Sequence, residues 1–234
     1  DAQMTTLTKP TARAASTALA FEHASDIAAS ADNAIKRMCD FFAALIGIIL
    51  LTPLWIIVAL MVRLSDGGPA FFTQERVGLN GTTFTMYKFR TMRVDAEELK
   101  ASLTEANEAD SSAGNSIMFK MANDPRVTRI GAFLRKTSID ELPQLFNVLR
   151  GDMSLVGPRP PLPNEVAQYE SRVMGKFAVR PGITGLWQIS GSSNLSWDET
   201  VYLDLSYAQH RSLTLDAWIM LQTVPALLRL EGAY

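Results

Sequence analysis

Apolar and polar positions divide the chain into one unbroken apolar block and a longer region in which the two are mixed. Residues 41–62 (FFAALIGIILLTPLWIIVALMV) carry no charge, and only Gly47, Thr52 and Pro53 interrupt the run. As a straight helix this block reaches ~33 Å at ~1.5 Å per residue, enough to cross a ~30 Å hydrocarbon core. After it, Ser65-Asp66-Gly67-Gly68-Pro69 reads as a turn. Stretches rich in Phe, Thr and Tyr at 70–74 and 82–89, around Gly78-Leu79-Asn80-Gly81, predict a small hairpin. Helical spacing predicts a solvated acidic helix over 95–110 and further helices over 142–149, 164–169, 197–209 and 215–230, separated by Gly and Pro. Residues 1–31 are rich in Ala, Ser and Thr with few large apolar side chains, and read as a poorly ordered tail. The expected fold class is α+β and mostly helical, with an N-terminal tail at 1–35, a membrane segment at 36–64 and a compact domain at 65–234.

Pro53 changes the picture of the apolar block. It has no N–H for the carbonyl of Ile49 and its ring crowds that carbonyl, so the helix is expected to bend or break there, with the Thr52 hydroxyl partly satisfying the loosened backbone. Each half would be ~15 to 18 Å long, too short to cross but long enough to enter and leave one leaflet. Lys36 and Arg37 precede the run, while Arg63, Arg76, Lys88, Arg90 and Arg93 follow it. Both flanks thus carry the bias of cytoplasmic loops, and a kinked spanning helix and a re-entrant hairpin both fit. A cleaved signal peptide fits poorly, because about forty residues precede the run and no small-residue cleavage site follows it.

Charge and cysteine content exclude other classes. With 22 Lys+Arg against 24 Asp+Glu the net charge is -2, which lacks the basic footprint of a nucleic-acid binder. Cys39 is the single cysteine, and with only His23 and His210 beside it the chain has too few soft ligands for zinc. A reduced, cytoplasmic setting fits.

Candidate chemistry concentrates between Lys120 and Arg159, where seven basic residues meet four acidic ones and an anion is expected. Within it, Arg135-Lys136-Thr137-Ser138-Ile139-Asp140-Glu141-Leu142-Pro143 sets paired carboxylates before a proline. Pro143 is tolerated only in a first helical turn, so a helix is expected to begin near Asp140 or Glu141, with both carboxylates at the positive end of its dipole. Two readings follow. Ser138 and Glu141 have capping-box spacing, which makes the pair ordinary N-terminal chemistry. Alternatively, an ionised Asp140 held among Arg135, Lys136 and Arg159 is suited to attack phosphorus, with Glu141 beside it to hold a divalent metal.

Other segments are less specific. Gly157-Pro158-Arg159-Pro160-Pro161 fixes backbone torsions around one arginine, for a phosphate contact or simply as a rigid loop. Lys88-Phe89-Arg90-Thr91-Met92-Arg93 alternates basic and apolar residues like a strand end at a membrane edge. Arg180-Pro181-Gly182-Ile183-Thr184-Gly185-Leu186-Trp187-Gln188 reads as a glycine-punctuated loop, suited to a nucleotide base or to a buried turn.

Three blocks in order, KFRTM (Lys88 to Met92), LRKTSIDELPQLFNVLRGDMSLVGPRP (Leu134 to Pro160) and RPGITGLWQISG (Arg180 to Gly191), resemble the bacterial sugar transferase family, the monotopic phosphoglycosyl transferases. The resemblance covers about Lys36 to Leu230. It implies transfer of a hexose-1-phosphate from a UDP-sugar to undecaprenyl phosphate, releasing UMP, with Mg2+ and a covalent phosphosugar intermediate on Asp140. Glu141 completes the dyad, and Asp140 and Glu141 are the implied metal ligands. Lys88, Arg90, Arg135 and Arg159 are implied substrate-phosphate contacts, with Arg180 in the nucleotide-side segment. The resemblance also implies a re-entrant anchor broken at Thr52-Pro53, on the cytoplasmic face of the bacterial inner membrane. The sugar, galactose or glucose, stays open, because Gly191-Ser192 stands where many relatives have Gly-Arg and Thr200 and Tyr202 replace positions often basic in them; a homodimer stays open too. A membrane-anchored phosphohydrolase using water as acceptor, or a non-catalytic membrane adaptor, are the rival classes.

Overall fold

The computed structural model describes residues 12–96, 98–99, 124–191 and 195–229, so most of the acidic helix expected over 95–110 lies outside the described residues. The chain forms two units, Asp1–Cys39 and Asp40–Tyr234. Helix α1 is Ala12–Asp66. The tail expected to be poorly ordered is therefore helical from Ala12 onward, in keeping with its alanine content and the high helix propensity of that residue. The stretch Asn33–Asp66 is long and apolar enough to cross a membrane. Its end is set by Gly67, at φ 75, whose N–H bonds the carbonyl of Arg63 at 2.9 Å.

Helix α1 is continuous through Pro53, so the helix-break-helix expected there is not shown. A proline removes one backbone hydrogen bond from a helix that keeps all the others, and Thr52 Oγ1 donates to the carbonyl of Ile48 at 2.7 Å on the same turn. Within the second unit, α1 is one-sided. Ala44, Ile48, Leu51, Trp55, Val58 and Val62, alternating at three and four residues, face the core. Ile46, Ile49, Leu50, Ile56, Ile57 and Leu60 are exposed on the remaining surface.

The elements packed on α1 follow in chain order. Strand β1 (Phe71–Val77) pairs antiparallel with β2 (Thr83–Phe89), the hairpin expected, with β1 extended by three residues beyond 74. The connection turns at Asn80, in the left-handed region at φ 54. Helix α2 (Arg129–Lys136) is capped by Thr128, whose hydroxyl accepts from Gly131 N at 2.9 Å. A short 3-10 turn (Ile139–Glu141) leads into α3 (Gln144–Arg150), which ends at Gly151 with φ 95. Met86 and Phe89 of β2, Leu134 of α2, Leu145 and Val148 of α3 and Met153 close the core against α1. Trp55 meets Phe146 at 5.1 Å between ring centroids, and Asp40 Oδ1 accepts from Leu155 N at 3.2 Å.

Strand β3 (Ser154–Val156) pairs in parallel with β4 (Gly182–Thr184). The segment expected as a loop from Arg180 to Gln188 therefore contains a strand and the short α5 (Leu186–Ile189). Between β3 and β4 lie α4 (Pro163–Val166) and a 3-10 stretch (Ser171–Ala178), so the helix expected over 164–169 is shorter. Helices α6 (Trp197–His210) and α7 (Leu213–Arg229) match the two C-terminal expectations. A Ser196–Glu199 capping box starts α6. A second core of Val156, Val179, Tyr207 and Ile219 joins them to β3, with Tyr207 Oη at 2.9 Å from the Val156 carbonyl and 2.7 Å from Asp216 Oδ1.

Candidate active site

The carboxylate pair sits one turn before the place the sequence suggests. Pro143 is the N-cap of α3 rather than a first-turn residue, and Asp140 and Glu141 occupy the preceding 3-10 turn. Ser138 adopts the left-handed conformation at φ 54 and makes no side-chain cap among the described residues. The capping box read from Ser138 and Glu141 is thus not formed, because a left-handed cap residue turns its hydroxyl away from the N–H groups it would serve. What connects them is backbone alone, Glu141 N donating to the Ser138 carbonyl at 3.2 Å. Both carboxylates are released for other partners.

Asp140 is 7% exposed, and burial pushes its carboxyl up to about 6, against the opposing charges of Lys88 and Arg135 and with the neighbouring Glu141 adding to the rise. Glu141 behaves oppositely. Burial would raise it, but Lys88 Nζ donates to Glu141 Oε1 at 2.6 Å, and together with Arg159 and Arg76 it holds the carboxyl below its usual range. Two adjacent carboxylates with their affinities for protons driven apart can take different roles.

Four cations from three regions act on this pair. Lys88 comes from β2 and Arg76 from β1. Register pairs Phe72 with Lys88 and Arg76 with Phe84, which puts Arg76 and Lys88 on the same face of the hairpin. Arg135 lies in the last turn of α2, its Nε donating to Thr91 Oγ1 at 3.1 Å. Arg159 stands over the Trp187 ring at 5.7 Å from its centroid and 4.0 Å from Glu165 Oε2. Of the residues expected from sequence, Lys88, Arg135 and Arg159 converge electrostatically on the Asp140-Glu141 pair. Arg90 instead forms a bidentate pair with Asp66 at the end of α1. Arg180 Nε donates to the carbonyl of Gly151 at 2.8 Å. From the sequence alone Arg76 reads only as a membrane-flank charge. The signal that finds it is the two-residue alternation of the hairpin, which sets it beside Lys88.

Among the described residues no three His, Cys, Asp or Glu side chains converge as a metal cage. The donor set still suits magnesium, a hard cation usually held by one or two carboxylates together with substrate phosphates and water. Asp140 and Glu141 supply such carboxylates.

Comparison with known proteins gives the family. The family model for bacterial sugar transferases matches residues 31–230, and the chain belongs to that family. Galactosyl transferase CpsE of Streptococcus agalactiae serotype III is 48% identical over 199 residues, covering 85% of this chain and 43% of that protein. Exopolysaccharide production protein ExoY of Rhizobium meliloti is 42% identical over 199 residues, covering 85% of this chain and 88% of that protein. Undecaprenyl-phosphate galactose phosphotransferase of Salmonella typhimurium is 42% identical over 209 residues, covering 89% of this chain and 44% of that protein. The chain spans less than half the length of CpsE and of the Salmonella protein, and most of ExoY.

Proposed function

We propose that the chain is a phosphoglycosyl transferase that moves a hexose-1-phosphate from a UDP-sugar to undecaprenyl phosphate, as the first membrane step in building an exopolysaccharide or related glycan. The observation that carries this reading is a buried Asp140 beside Glu141, in the field of Lys88, Arg135, Arg76 and Arg159. A carboxylate and a diphosphate repel each other, and a cationic field of this kind offsets the repulsion as charge builds in the transition state. An Asp140 oxygen attacks the sugar-bearing phosphorus, the bond from that phosphorus to the UMP oxygen breaks, and UMP leaves. A phosphate oxygen of the polyprenol then attacks the same phosphorus and returns Asp140 to its carboxylate. Asp140 and Glu141 would hold Mg2+, which neutralises phosphate charge when bound.

The acceptor is a lipid, so the site must lie at headgroup level. In our reading α1 enters and leaves one leaflet, bent at Pro53, on the cytoplasmic face of the inner membrane. Support comes from its contacts with the catalytic fold, which run from Asp40, bonded to Leu155, to Asp66, paired with Arg90. That stretch is ~39 Å of helix. A helix crossing upright would carry the charged fold into the bilayer, where unpaired polar groups are costly.

The test omits the acceptor. Protein incubated with UDP-sugar and Mg2+ should release about one equivalent of UMP and gain one hexose-phosphate mass on the peptide containing Asp140. Continuous UMP release without acceptor would identify a hydrolase. Full turnover with acceptor but no adduct would replace the covalent route with direct attack.

A further inference from the structure

Arg76 and the loop that carries Arg159 are far apart in sequence and locked together in space. Arg76 is 8% exposed, and its Nη1 donates to the carbonyl of Pro160 at 3.0 Å across a separation of 84 residues. Its Nη2 donates to Gln74 Oε1 at 2.6 Å on the same strand face, which fixes the plane of the guanidinium. The neighbouring Val77 N–H bonds the Pro161 carbonyl at 2.9 Å. The end of β1 therefore grips the carbonyls of the two residues that follow Arg159. On the other side, Gly182 N donates to the Pro158 carbonyl at 3.0 Å and Gly157 N donates to the Thr184 carbonyl at 2.9 Å. Arg159 is the one residue of Pro158-Arg159-Pro160-Pro161 whose backbone lies between both clamps.

The choice of a charged group for the β1 clamp calls for explanation. Burial together with the nearby Arg159 pushes Arg76 down to about 10, so two like charges are kept side by side at an electrostatic cost. Arg76 Nε is buried with no hydrogen-bond partner among the described residues, a further cost that an apolar side chain would avoid. A neutral residue could pack there, but it could not reach the Pro160 carbonyl while adding positive charge beside Glu141.

We propose that Arg76 is a positioning residue for the transfer reaction, holding Arg159 in place through the Pro160 carbonyl, with Gln74 orienting Arg76 in turn. The inference rests on the proposed transferase reading. Its action is on kcat, because Arg159 is fixed for the transition state rather than for initial binding.

A double-mutant cycle on the full chain in detergent or nanodiscs tests it, with UMP release measured against UDP-sugar and undecaprenyl phosphate. Arg76→Met should lower kcat at least tenfold in the wild-type background, with KM for the UDP-sugar changed less than threefold. In an Arg159→Lys background, where the fork to be positioned is already lost, the same change should cost at least threefold less than it does in the wild-type background, the remainder being the charge that Arg76 itself sets beside Glu141. Gln74→Met keeps both arginines and the strand, so it serves where Arg76→Met does not fold. It should lower kcat about threefold or more, and this loss should vanish beside Arg159→Lys. Equal losses in both backgrounds, or wild-type kcat in the single variants, overturn the positioning role. If wild-type protein releases no UMP under these conditions, the transferase reading falls and this inference falls with it.

Discussion

Asp140 carries its charge at a cost to the fold. Its carboxyl titrates near 3.8 when unperturbed and is pushed up to about 6 by burial. Near pH 4 the folded group is protonated and the penalty is small; it grows as pH rises through that window and is complete above about 6. Asp140→Asn removes the penalty while keeping the side-chain shape. Unfolding measured in detergent should show the variant more stable by about 3 kcal/mol at neutral pH and little changed near pH 4. It should also lose transfer, because an amide cannot attack phosphorus. A variant that is destabilised at neutral pH, or that still turns over, would mark Asp140 as structural. Arg159 allows a complementary test. Its guanidinium lies over Trp187 and near Glu165, a planar fork that an ammonium cannot reproduce. Arg159→Lys should lose at least tenfold in turnover, about 1.4 kcal/mol, and wild-type UMP release from it would assign the residue to loop stability alone.

At the scale of elements, the site depends on close approach. A Cβ built on Gly131 would lie 1.8 Å from the carbonyl oxygen of Thr91, so the first turn of α2 rests directly on the strand end that follows β2. Since α2 also delivers Arg135, Gly131→Ala should cost several kcal/mol, of order 2 or more, and depress UMP release further than the loss of folded protein explains. Gly67→Ala is the contrast, with φ +75 but open space around it, and should cost only about 1 kcal/mol with transfer retained. The same contrast explains what the sequence reveals. Helices α6 and α7 are legible because each is long, and α6 opens on the capping box at Ser196 and Glu199. The hairpin is legible from its glycines and alternation. Strands β3 and β4 are three residues each and pair in parallel across an intervening segment, so no local period announces them. The Asp140-Glu141 pair is visible as a motif, but its 3-10 setting is not, since it depends on Ser138 accepting a left-handed backbone. Alternation in the hairpin sets Arg76 on the face of Lys88, but its 84-residue contact with Pro160 is displayed only by the folded chain.

At the scale of the whole molecule, α1 packs on protein with one face and leaves an apolar face exposed. Its exposed face is apolar through Ile46, Ile49, Leu50, Ile56, Ile57 and Leu60, while Trp55, Val58 and Val62 are 7%, 3% and 3% exposed against the catalytic fold. Length and hydropathy alone favour a crossing helix, and the sequence pattern cannot choose between crossing and re-entry. The re-entrant placement we propose draws its support from packing, since the fold accompanies the helix as far as the Asp66–Arg90 pair. A helix that returns to the side it entered leaves both of its flanks in the cytoplasm. Cys39 is the single native thiol and is exposed, and Ser65, exposed near the other end, offers a second position as Ser65→Cys. In inverted membrane vesicles, whose cytoplasmic face is outward, an impermeant maleimide should label both thiols. In intact spheroplasts it should label neither until the membrane is permeabilised. Labelling of one site from each side would show that α1 crosses the bilayer, and the re-entrant placement would be lost while the proposed chemistry of Asp140 stood.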